Sequence, residues 1–298
     1  MKKVEIFRGV GTALITPFKD DKIDFTTLKD LIERQINAGI DALVIGGTTA
    51  EAATLSDSER YELFDFSKEA IGGRCRLIYG TGTNDTRVAI RHTEYASRLG
   101  CDGVLVVTPY YNRGTAEGVV RHYEAIALAS GVPVLLYNVP SRTGVNLSIE
   151  TLEKLSENKM IVGIKEASDS LDRLMAISRI EDLALYSGND SQIYPILSLG
   201  GLGVISVVSN IYPDETIVIC QQYFANNHKN SLKLQQKLSP IISAMFLETN
   251  PAPIKYAMSM KGLCLPDMRL PMWQPTQATK DKIDRALEEF EKEKAHNI

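Results

Sequence analysis

Residues 160–170 have the sequence MIVGIKEASDS, in which Lys165 either reaches solvent or is an amine that the fold uses in a dry interior. An apolar run begins at Met160, continues to Ile164 and stops at Lys165. A lysine is costly to bury unless its charge is paired or neutralised. Successive side chains of a strand point to opposite faces, so if Ile164 faces a layer of helices, Lys165 faces the other side of the sheet. We therefore expect an amine in a dry interior.

Similar apolar runs recur along the chain and alternate with helix-period patterns. Continuous apolar strands flanked by helices indicate a parallel sheet that is covered on both faces. Eight such units close most economically into a (β/α)8 TIM barrel, an α/β fold of roughly 250 residues. The predicted strands are Val10–Leu14, Ala42–Ile45, Leu77–Tyr79, Val104–Val107, Val134–Tyr137, Ile161–Ile164, Leu183–Tyr186 and Val204–Val207.

The ends of several helices can also be predicted. Glycine just after a helix is an expected stop, and serine or aspartate before a helix is an expected N-cap. The predicted stops are Gly39, Gly100 and Gly131. The predicted N-caps are Ser56 or Asp57 for the second helix, and Asp169 or Ser170 for the sixth.

An open doubly wound sheet is the structural alternative, and the first turn argues against it. That fold would carry a glycine-rich phosphate loop after its first strand, whereas Thr-Pro-Phe follows the first strand here. From about Asn227 the alternation stops and only helical patterns remain, at 231–246, 254–261 and 278–295. We predict a catalytic barrel over 1–226 and a helical C-terminal region over 227–298.

Composition excludes several classes of protein. The chain has 298 residues and a formal charge of −4, which argues against a nucleic-acid partner. It has no apolar run close to the ~20 residues of a membrane span, and its first residues, MKKVEIF, do not form a secretory signal. The four cysteines are far apart and no metal-binding spacing is present. We expect a cytoplasmic protein without metal, cofactor or membrane partner.

Polar side chains follow the predicted strands at their C-terminal ends, where TIM barrels carry their chemistry. These segments are GGTTAE at 46–51, TPYYNR at 108–113, YNVPSRTG at 137–144, Lys165-Glu166 and Ile205-Ser206. Hydroxyls, phenols, a guanidinium and an amine are therefore predicted to meet at one mouth. The sequence shows no pair of carboxylates spaced as a general acid and a general base. It also shows no Ser, His and Asp in the order of a catalytic triad.

The residues suggest chemistry but leave some roles open. Lysine attacks carbonyls as the neutral amine, and at a pKa of ~10.4 only about one amine in two or three thousand is neutral at pH 7. Desolvation lowers that pKa, so an interior Lys165 is suited to Schiff-base formation, with Tyr137 as a proton donor and acceptor. Thr48 and Thr49 either bind an anion or cap a tight turn. Arg142 either is solvated or binds a substrate carboxylate.

Taken in order, the motifs GGTTAE, TPYYNR, YNVPSRTG, VGIKEAS, YSGND and GGLGVISV resemble the dihydrodipicolinate synthase / N-acetylneuraminate lyase family. The resemblance runs from residues 9–18 to residues 249–258, nearly the whole chain. It implies a barrel in which Lys165 forms a Schiff base with pyruvate. Arg142 is similar to the arginine that distinguishes the synthase branch of the family, because lyases that act on sialic or sugar acids usually lack an arginine at this position.

The resemblance implies a reaction and a set of roles. Pyruvate would condense with aspartate 4-semialdehyde to give 4-hydroxy-tetrahydrodipicolinate, in lysine and diaminopimelate biosynthesis. The enzyme would be a homotetramer built from tight dimers, and Tyr111 would enter the proton relay from the neighbouring subunit. The implied catalytic residues are Lys165, Tyr137, Thr48 and Tyr111, and the implied substrate-binding residues are Thr49, Arg142, Gly188 and Ile205.

Two departures from the family pattern bear on function. Ala50 replaces a usual glycine, which is costly only if its φ is positive. At the site where lysine inhibits some members, Asn84 and Tyr110 match the family pattern. The other positions do not match and are Ala52, Asp57, Arg60 and Val88. A bound lysine ammonium would lack its anionic partner there, so we predict an enzyme insensitive to lysine.

Two other functions stay open on sequence alone. One is a related pyruvate-dependent lyase, such as an N-acetylneuraminate lyase or a 2-keto-3-deoxy sugar-acid aldolase, although Arg142 and the paired threonines argue against it. The other is a catalytically silent barrel. Such a barrel is expected to have lost the lysine or a relay hydroxyl, and neither is lost here.

Overall fold

Eight parallel strands close into a barrel in the computed structural model, which describes residues 5–295. The prediction of an α/β TIM barrel is confirmed, and each predicted strand is present within a few residues of its expected bounds. A short antiparallel hairpin, β2–β3, was not predicted. The strands are β1 (Gly9–Ala13), β2 (Phe18–Lys19), β3 (Lys22–Ile23), β4 (Ala42–Ile45), β5 (Arg76–Gly80), β6 (Gly103–Val107), β7 (Val134–Asn138), β8 (Ile161–Glu166), β9 (Ala184–Ser187) and β10 (Gly203–Ser206).

Helices follow the barrel strands and cover the outside of the sheet. They are α1 (Phe25–Asn37), α2 (Asp57–Ile71), α3 (Thr86–Leu99), α4 (Ala116–Ala129), α5 (Pro140–Thr143), α6 (Ile149–Ser156), α7 (Leu171–Ser178), α8 (Ile193–Ser198), α9 (Pro213–Phe224), α10 (His228–Met245), α11 (Ala252–Met260) and α12 (Gln277–Ala295). Within residues 5–295, no helix is both long enough and apolar enough to cross a membrane.

The alternation of side chains along the strands separates two buried clusters. β8 departs from strict alternation at one point. Val162 belongs to the cluster that fills the barrel interior, although Ile164, two residues further on, belongs to the larger cluster between the sheet and the helices. The pairing of β7 and β8 shifts register here, between Val134 and Leu135. β7 and β8 are in parallel register with Tyr137 beside Lys165. Tyr137 also belongs to the interior cluster. The β7–β8 pair therefore carries a phenol and an amine on the inner face of one barrel wall.

Helix ends follow the predicted signals in most places. Ser56 is the N-cap of α2, in a capping box with Glu59, and Ser170 is the N-cap of α7. Gly100 ends α3 in the left-handed conformation, with φ of 73°. α4 ends at Ala129, just before the predicted stop at Gly131, but its C-cap is Ser130, whose ψ of 129° is extended, and Gly131 has no positive φ. The chain leaves this helix by an ordinary extended residue and needs no left-handed glycine.

The C-terminal region packs against one side of the barrel. α10 contacts α9 and α12, and apolar residues of α12 such as Phe290 are buried. The division that we predicted at 226/227 falls between α9 and α10, and we keep it as a proposal. Residues 1–4 and 296–298, which those two predicted regions include, lie outside the described part of the chain.

Candidate active site

A cavity of about 300 Å³ opens at the C-terminal ends of the barrel strands. Its walls come from the loop after β4, from β7 and β8, and from the C-terminal region, which contributes Asn250, Pro251, Pro271 and Met272. Five of the predicted site residues line it: Thr48, Thr49, Tyr137, Arg142 and Lys165. The fold thus brings together side chains that are up to 117 positions apart, counting from Thr48 to Lys165.

Lys165 lines this cavity and is only 5% exposed. Its ammonium nitrogen is 4.3 Å from the centre of the Tyr137 ring, and within residues 5–295 it has no hydrogen-bond partner. Burial lowers the pKa of Lys165 to about 8; the charge of Arg142 acts in the same direction and that of Asp190 opposes it. At pH 7 about one such amine in ten is neutral, which makes Lys165 a usable nucleophile.

Tyr137 supplies a phenol that stays protonated beside this amine. Burial raises its pKa, and the charge of Arg142 together with the nearby Thr48 side chain offsets part of the rise. The ring is 7% exposed and faces the cavity. A neutral phenol beside a nucleophilic amine can both donate and accept a proton during addition to a carbonyl.

The loop after β4 has a conformation that requires glycine at one position. Gly46 has a φ of 67°, and a Cβ there would lie 2.7 Å from the Phe64 ring. Thr48 and Thr49, which follow Gly47, both line the cavity; Thr48 is half-buried and Thr49 is buried. Ala50 has no positive φ, so its substitution for glycine carries no backbone strain.

Glu51, the last residue of that loop, does take the left-handed conformation, with φ of 57°. Its carboxylate accepts a hydrogen bond of 2.5 Å from the Lys255 ammonium of α11, and both side chains are at most 1% exposed. The other carboxylate oxygen accepts from the Arg269 amide at 3.1 Å. This buried ion pair connects the loop after β4, which carries Thr48 and Thr49 and which we call the threonine loop, to the C-terminal region.

Arg142 occupies the last turn of α5 and is an exposed side chain on the cavity wall. Its Nη2 donates a hydrogen bond of 2.7 Å to the backbone oxygen of Asn250. That contact holds the guanidinium at the cavity while leaving other N–H groups for a ligand. The sequence motifs did not single out Asn250.

Three of the predicted site residues do not line the cavity of the single chain. Tyr111 is 93% exposed, with φ of 70°, and lies on the surface. Ile205 is packed in the interior cluster of the barrel. Gly188 follows β9 and donates its amide to the Glu166 oxygen at 2.7 Å. A Cβ at Gly188 would lie 2.7 Å from the Ala167 side chain, so this turn needs glycine.

Asp190 is a buried acid that our sequence analysis missed. It is 1% exposed, it accepts a hydrogen bond from the Ser206 hydroxyl, and it also accepts from the Val207 and Val208 amides at 3.0 and 3.2 Å. Burial raises its pKa. The residue lies in the YSGND motif, but contacts with residues 16 to 18 positions further on cannot be read from that motif alone.

Together, these features define an α/β-barrel protein that presents a low-pKa lysine, a neutral tyrosine and a pair of threonines at one mouth. A family model described as the dihydrodipicolinate synthetase family matches residues 6–290. The chain belongs to that family.

Named relatives agree with this assignment along nearly the full length. The chain is 43% identical over 289 residues to a 4-hydroxy-tetrahydrodipicolinate synthase of Clostridium novyi, covering 96% of this chain and 98% of the relative. It is 45% identical over 287 residues to an enzyme of the same name from Endomicrobium trichonymphae, with coverage of 96% and 99%.

Solved structures show the same architecture. The dihydrodipicolinate synthase of Thermotoga maritima superimposes with a TM-score of 0.94 at 38% identity, covering 96% of this chain and 99% of that one. The 4-hydroxy-tetrahydrodipicolinate synthase of Methylacidiphilum fumariolicum gives a TM-score of 0.95 at 40% identity, covering 97% of each chain.

Proposed function

We propose that the chain catalyses the condensation of pyruvate with aspartate 4-semialdehyde to 4-hydroxy-tetrahydrodipicolinate, a step of lysine and diaminopimelate biosynthesis. The observation that carries this proposal is the Lys165 amine, which is 5% exposed and lines the cavity in a chain of this family. Burial supplies the neutral amine that an attack on the pyruvate keto group requires.

The first half of the reaction attaches pyruvate to the enzyme. The Thr48–Thr49 segment binds the pyruvate carboxylate, and the Lys165 amine adds to the keto carbon. Protonation of the resulting hydroxyl releases one water and leaves an imine. Tyr137, which lies beside the amine and near Thr48, donates and accepts the protons of these steps.

The second half joins the two substrates. Loss of a proton from the pyruvate methyl group converts the imine into an enamine, whose carbon attacks the aldehyde of aspartate 4-semialdehyde. The amino group of that substrate then adds to the imine carbon, which closes the ring and frees Lys165. Arg142, which lies on the cavity wall, binds the carboxylate of the second substrate as a charged fork.

The complete site requires a second subunit in this proposal. Tyr111 is almost fully exposed and lies outside the cavity of its own chain, which suits a residue that enters the site of a neighbour. There it extends the proton relay of Thr48 and Tyr137. Gly188 and Ile205 support the wall behind the substrates. We propose a homotetramer composed of two tight dimers, located in the cytoplasm.

Turnover with alternative substrates tests this function. We expect pyruvate to be consumed when aspartate 4-semialdehyde is supplied, and no cleavage of N-acetylneuraminate or of 2-keto-3-deoxy sugar acids. A Tyr137→Phe variant is the control for chemistry at this cavity and should lose most of the condensation rate. Cleavage of a sugar acid without condensation would replace the proposal with the related lyase function.

A further inference from the structure

Asn250 lies between the two groups that we assign to the two substrates. It immediately precedes the Pro251 that opens α11, and it is 6% exposed on the cavity wall. Its side-chain Nδ2 donates a hydrogen bond of 2.9 Å to the Thr49 hydroxyl. Its backbone oxygen accepts a hydrogen bond of 2.7 Å from Arg142. One residue of the C-terminal region therefore contacts both anion-binding side chains of the barrel.

The direction of the Asn250–Thr49 hydrogen bond determines what Thr49 can offer a ligand. A threonine hydroxyl has one hydrogen to donate and two lone pairs to accept. Because Asn250 donates to the oxygen, the hydroxyl hydrogen is not used in this contact and can point at a carboxylate. A hydroxyl that rotated freely would have to be ordered when the ligand binds, at a cost in affinity.

We propose that Asn250 is a positioning residue, which orients the Thr49 hydroxyl toward the pyruvate carboxylate through its side chain and fixes Arg142 through its backbone. This inference rests on the proposed function. The two contacts use different atoms, so the side chain can be changed without removing the carbonyl that holds Arg142.

Asn250 can position these groups because it is itself fixed to the threonine loop. Lys255, on the next turn of α11, forms the buried ion pair with Glu51, two positions after Thr49. The Lys255 amide also donates to the Pro251 oxygen at 2.9 Å. The C-terminal region therefore contacts the loop after β4 at two positions, through Asn250 at Thr49 and through Lys255 at Glu51. The Asn250 Oδ1 is buried without a partner among residues 5–295, so Nδ2 is the only part of this amide that holds it in place.

A titration with pyruvate tests the role of the side chain. Wild type, Asn250→Ala, Asn250→Ser, Thr49→Val and Asn250→Ala/Thr49→Val are incubated with increasing pyruvate and reduced with borohydride, and the adduct on Lys165 is quantified. We expect each Asn250 variant to raise the half-saturating pyruvate concentration about tenfold, the effect of one lost hydrogen bond of about 1.4 kcal/mol. Serine is too short to reach Thr49, so it provides a second variant if alanine does not fold.

The other readouts separate positioning from general damage. The double variant should be little worse than Thr49→Val alone, since both changes remove the same oriented hydroxyl. The KM for aspartate 4-semialdehyde should stay within about twofold, because the backbone carbonyl is retained. Asn230→Ala, at a half-buried asparagine of α10 whose side chain donates to Gln222 at 2.9 Å, is the matched control and should bind pyruvate as the wild type does.

Each remaining outcome has a distinct meaning. Unchanged half-saturation in the Asn250 variants, or effects of Asn250→Ala and Thr49→Val that simply add, would overturn the positioning role. An equal rise in the KM for both substrates would assign Asn250 to general support of the fold, and the inference would be wrong. No adduct on Lys165 in the wild-type protein would instead overturn the proposed function.

Discussion

Lys165 differs from a surface lysine because the barrel removes its ammonium from water without giving it a carboxylate partner within ion-pair distance in the described chain. Asp190 acts on it only as a more distant charge, and Arg142 opposes that effect. Desolvation is therefore the main cause of the lowered pKa. This balance leaves the amine short of water yet open to a substrate from the cavity side.

The rate of imine formation should depend on pH in a way that reports this pKa. Only the neutral amine attacks, and burial lowers the pKa of Lys165 to about 8. The rate of pyruvate labelling should therefore rise about tenfold per pH unit below pH 8 and become constant above it. Borohydride labelling at a series of pH values, with a free lysine side chain in a peptide as control, measures the midpoint. A midpoint close to that of the peptide would contradict the effect of burial.

Arg60 gives the prediction of lysine insensitivity a structural basis. This guanidinium is 5% exposed and donates to the backbone oxygens of Ala52 at 2.7 Å and Gly80 at 3.0 Å, on the cavity wall near Tyr110. A cation already fixed there disfavours a second ammonium. We expect full activity in low-millimolar lysine, measured in an inhibition curve. Substantial inhibition over that range would show that lysine binds despite Arg60.

Sequence patterns predicted some site residues and missed others for a physical reason. Lys165 and Tyr137 lie at the ends of apolar strands, so their position and facing follow from local alternation. Asn250 and Lys255 act across separations of 201 and 204 residues to Thr49 and Glu51. Nothing in the local sequence indicates such contacts, which depend on how the C-terminal helices dock.

At the scale of elements, the loop after β4 depends on α11 for its fixed shape. Both side chains of the Glu51–Lys255 ion pair are buried. The Thr16 hydroxyl donates a further hydrogen bond of 2.9 Å to the backbone oxygen of Ala50 in the loop. A buried ion pair contributes little net stability, but removal of one partner leaves an uncompensated charge. The pair therefore favours one arrangement of loop and helix.

The stability of single and double variants tests that dependence. Lys255→Met should reduce the free energy of unfolding by about 3–5 kcal/mol, because Glu51 stays buried and unpaired. Glu51→Gln/Lys255→Met should recover more than half of the loss. Denaturant unfolding measures both. Lys261→Met is the control, because its pair with Glu291 is 30% and 43% exposed and should contribute less than about 1 kcal/mol. Equal losses in Lys255→Met and the double variant would contradict the charge argument.

Elements with strong local signals were predictable, and short ones were not. The eight barrel strands are continuous apolar runs, and their parallel pairing follows from the helices between them. The β2–β3 hairpin has only two residues in each strand, too few for a pattern to appear. The α5 turn at Pro140–Thr143 is a single turn of four residues, and it places Arg142 on the cavity wall.

At the scale of the whole molecule, one chain does not assemble all the residues that we assign to catalysis. Lys165 and Tyr137 lie in one cavity, while the exposed Tyr111 lies outside it. If a neighbour supplies Tyr111, two inactive variants should restore each other. In a mixture of Lys165→Ala and Tyr111→Phe chains, a mixed dimer contains one intact site, which amounts to about a quarter of wild-type activity after random exchange.

The control for this experiment uses two residues of the same cavity. Lys165→Ala mixed with Tyr137→Phe should recover no activity, because Lys165 and Tyr137 come from one chain and neither site of the mixed dimer is complete. Activity is measured after subunit exchange under mild denaturation and return to buffer. Failure of the first mixture to gain activity would show that Tyr111 acts within its own chain or not at all.

The most direct test of the whole proposal is the identity of the lysine that reacts with pyruvate. The protein is incubated with pyruvate, reduced with borohydride, digested and analysed by mass spectrometry. We predict a gain of about 72 Da, the reduced pyruvate adduct, on the peptide containing Lys165, and no gain without pyruvate or in Lys165→Ala. An unmodified Lys165, or an adduct on a different lysine, would contradict the proposal.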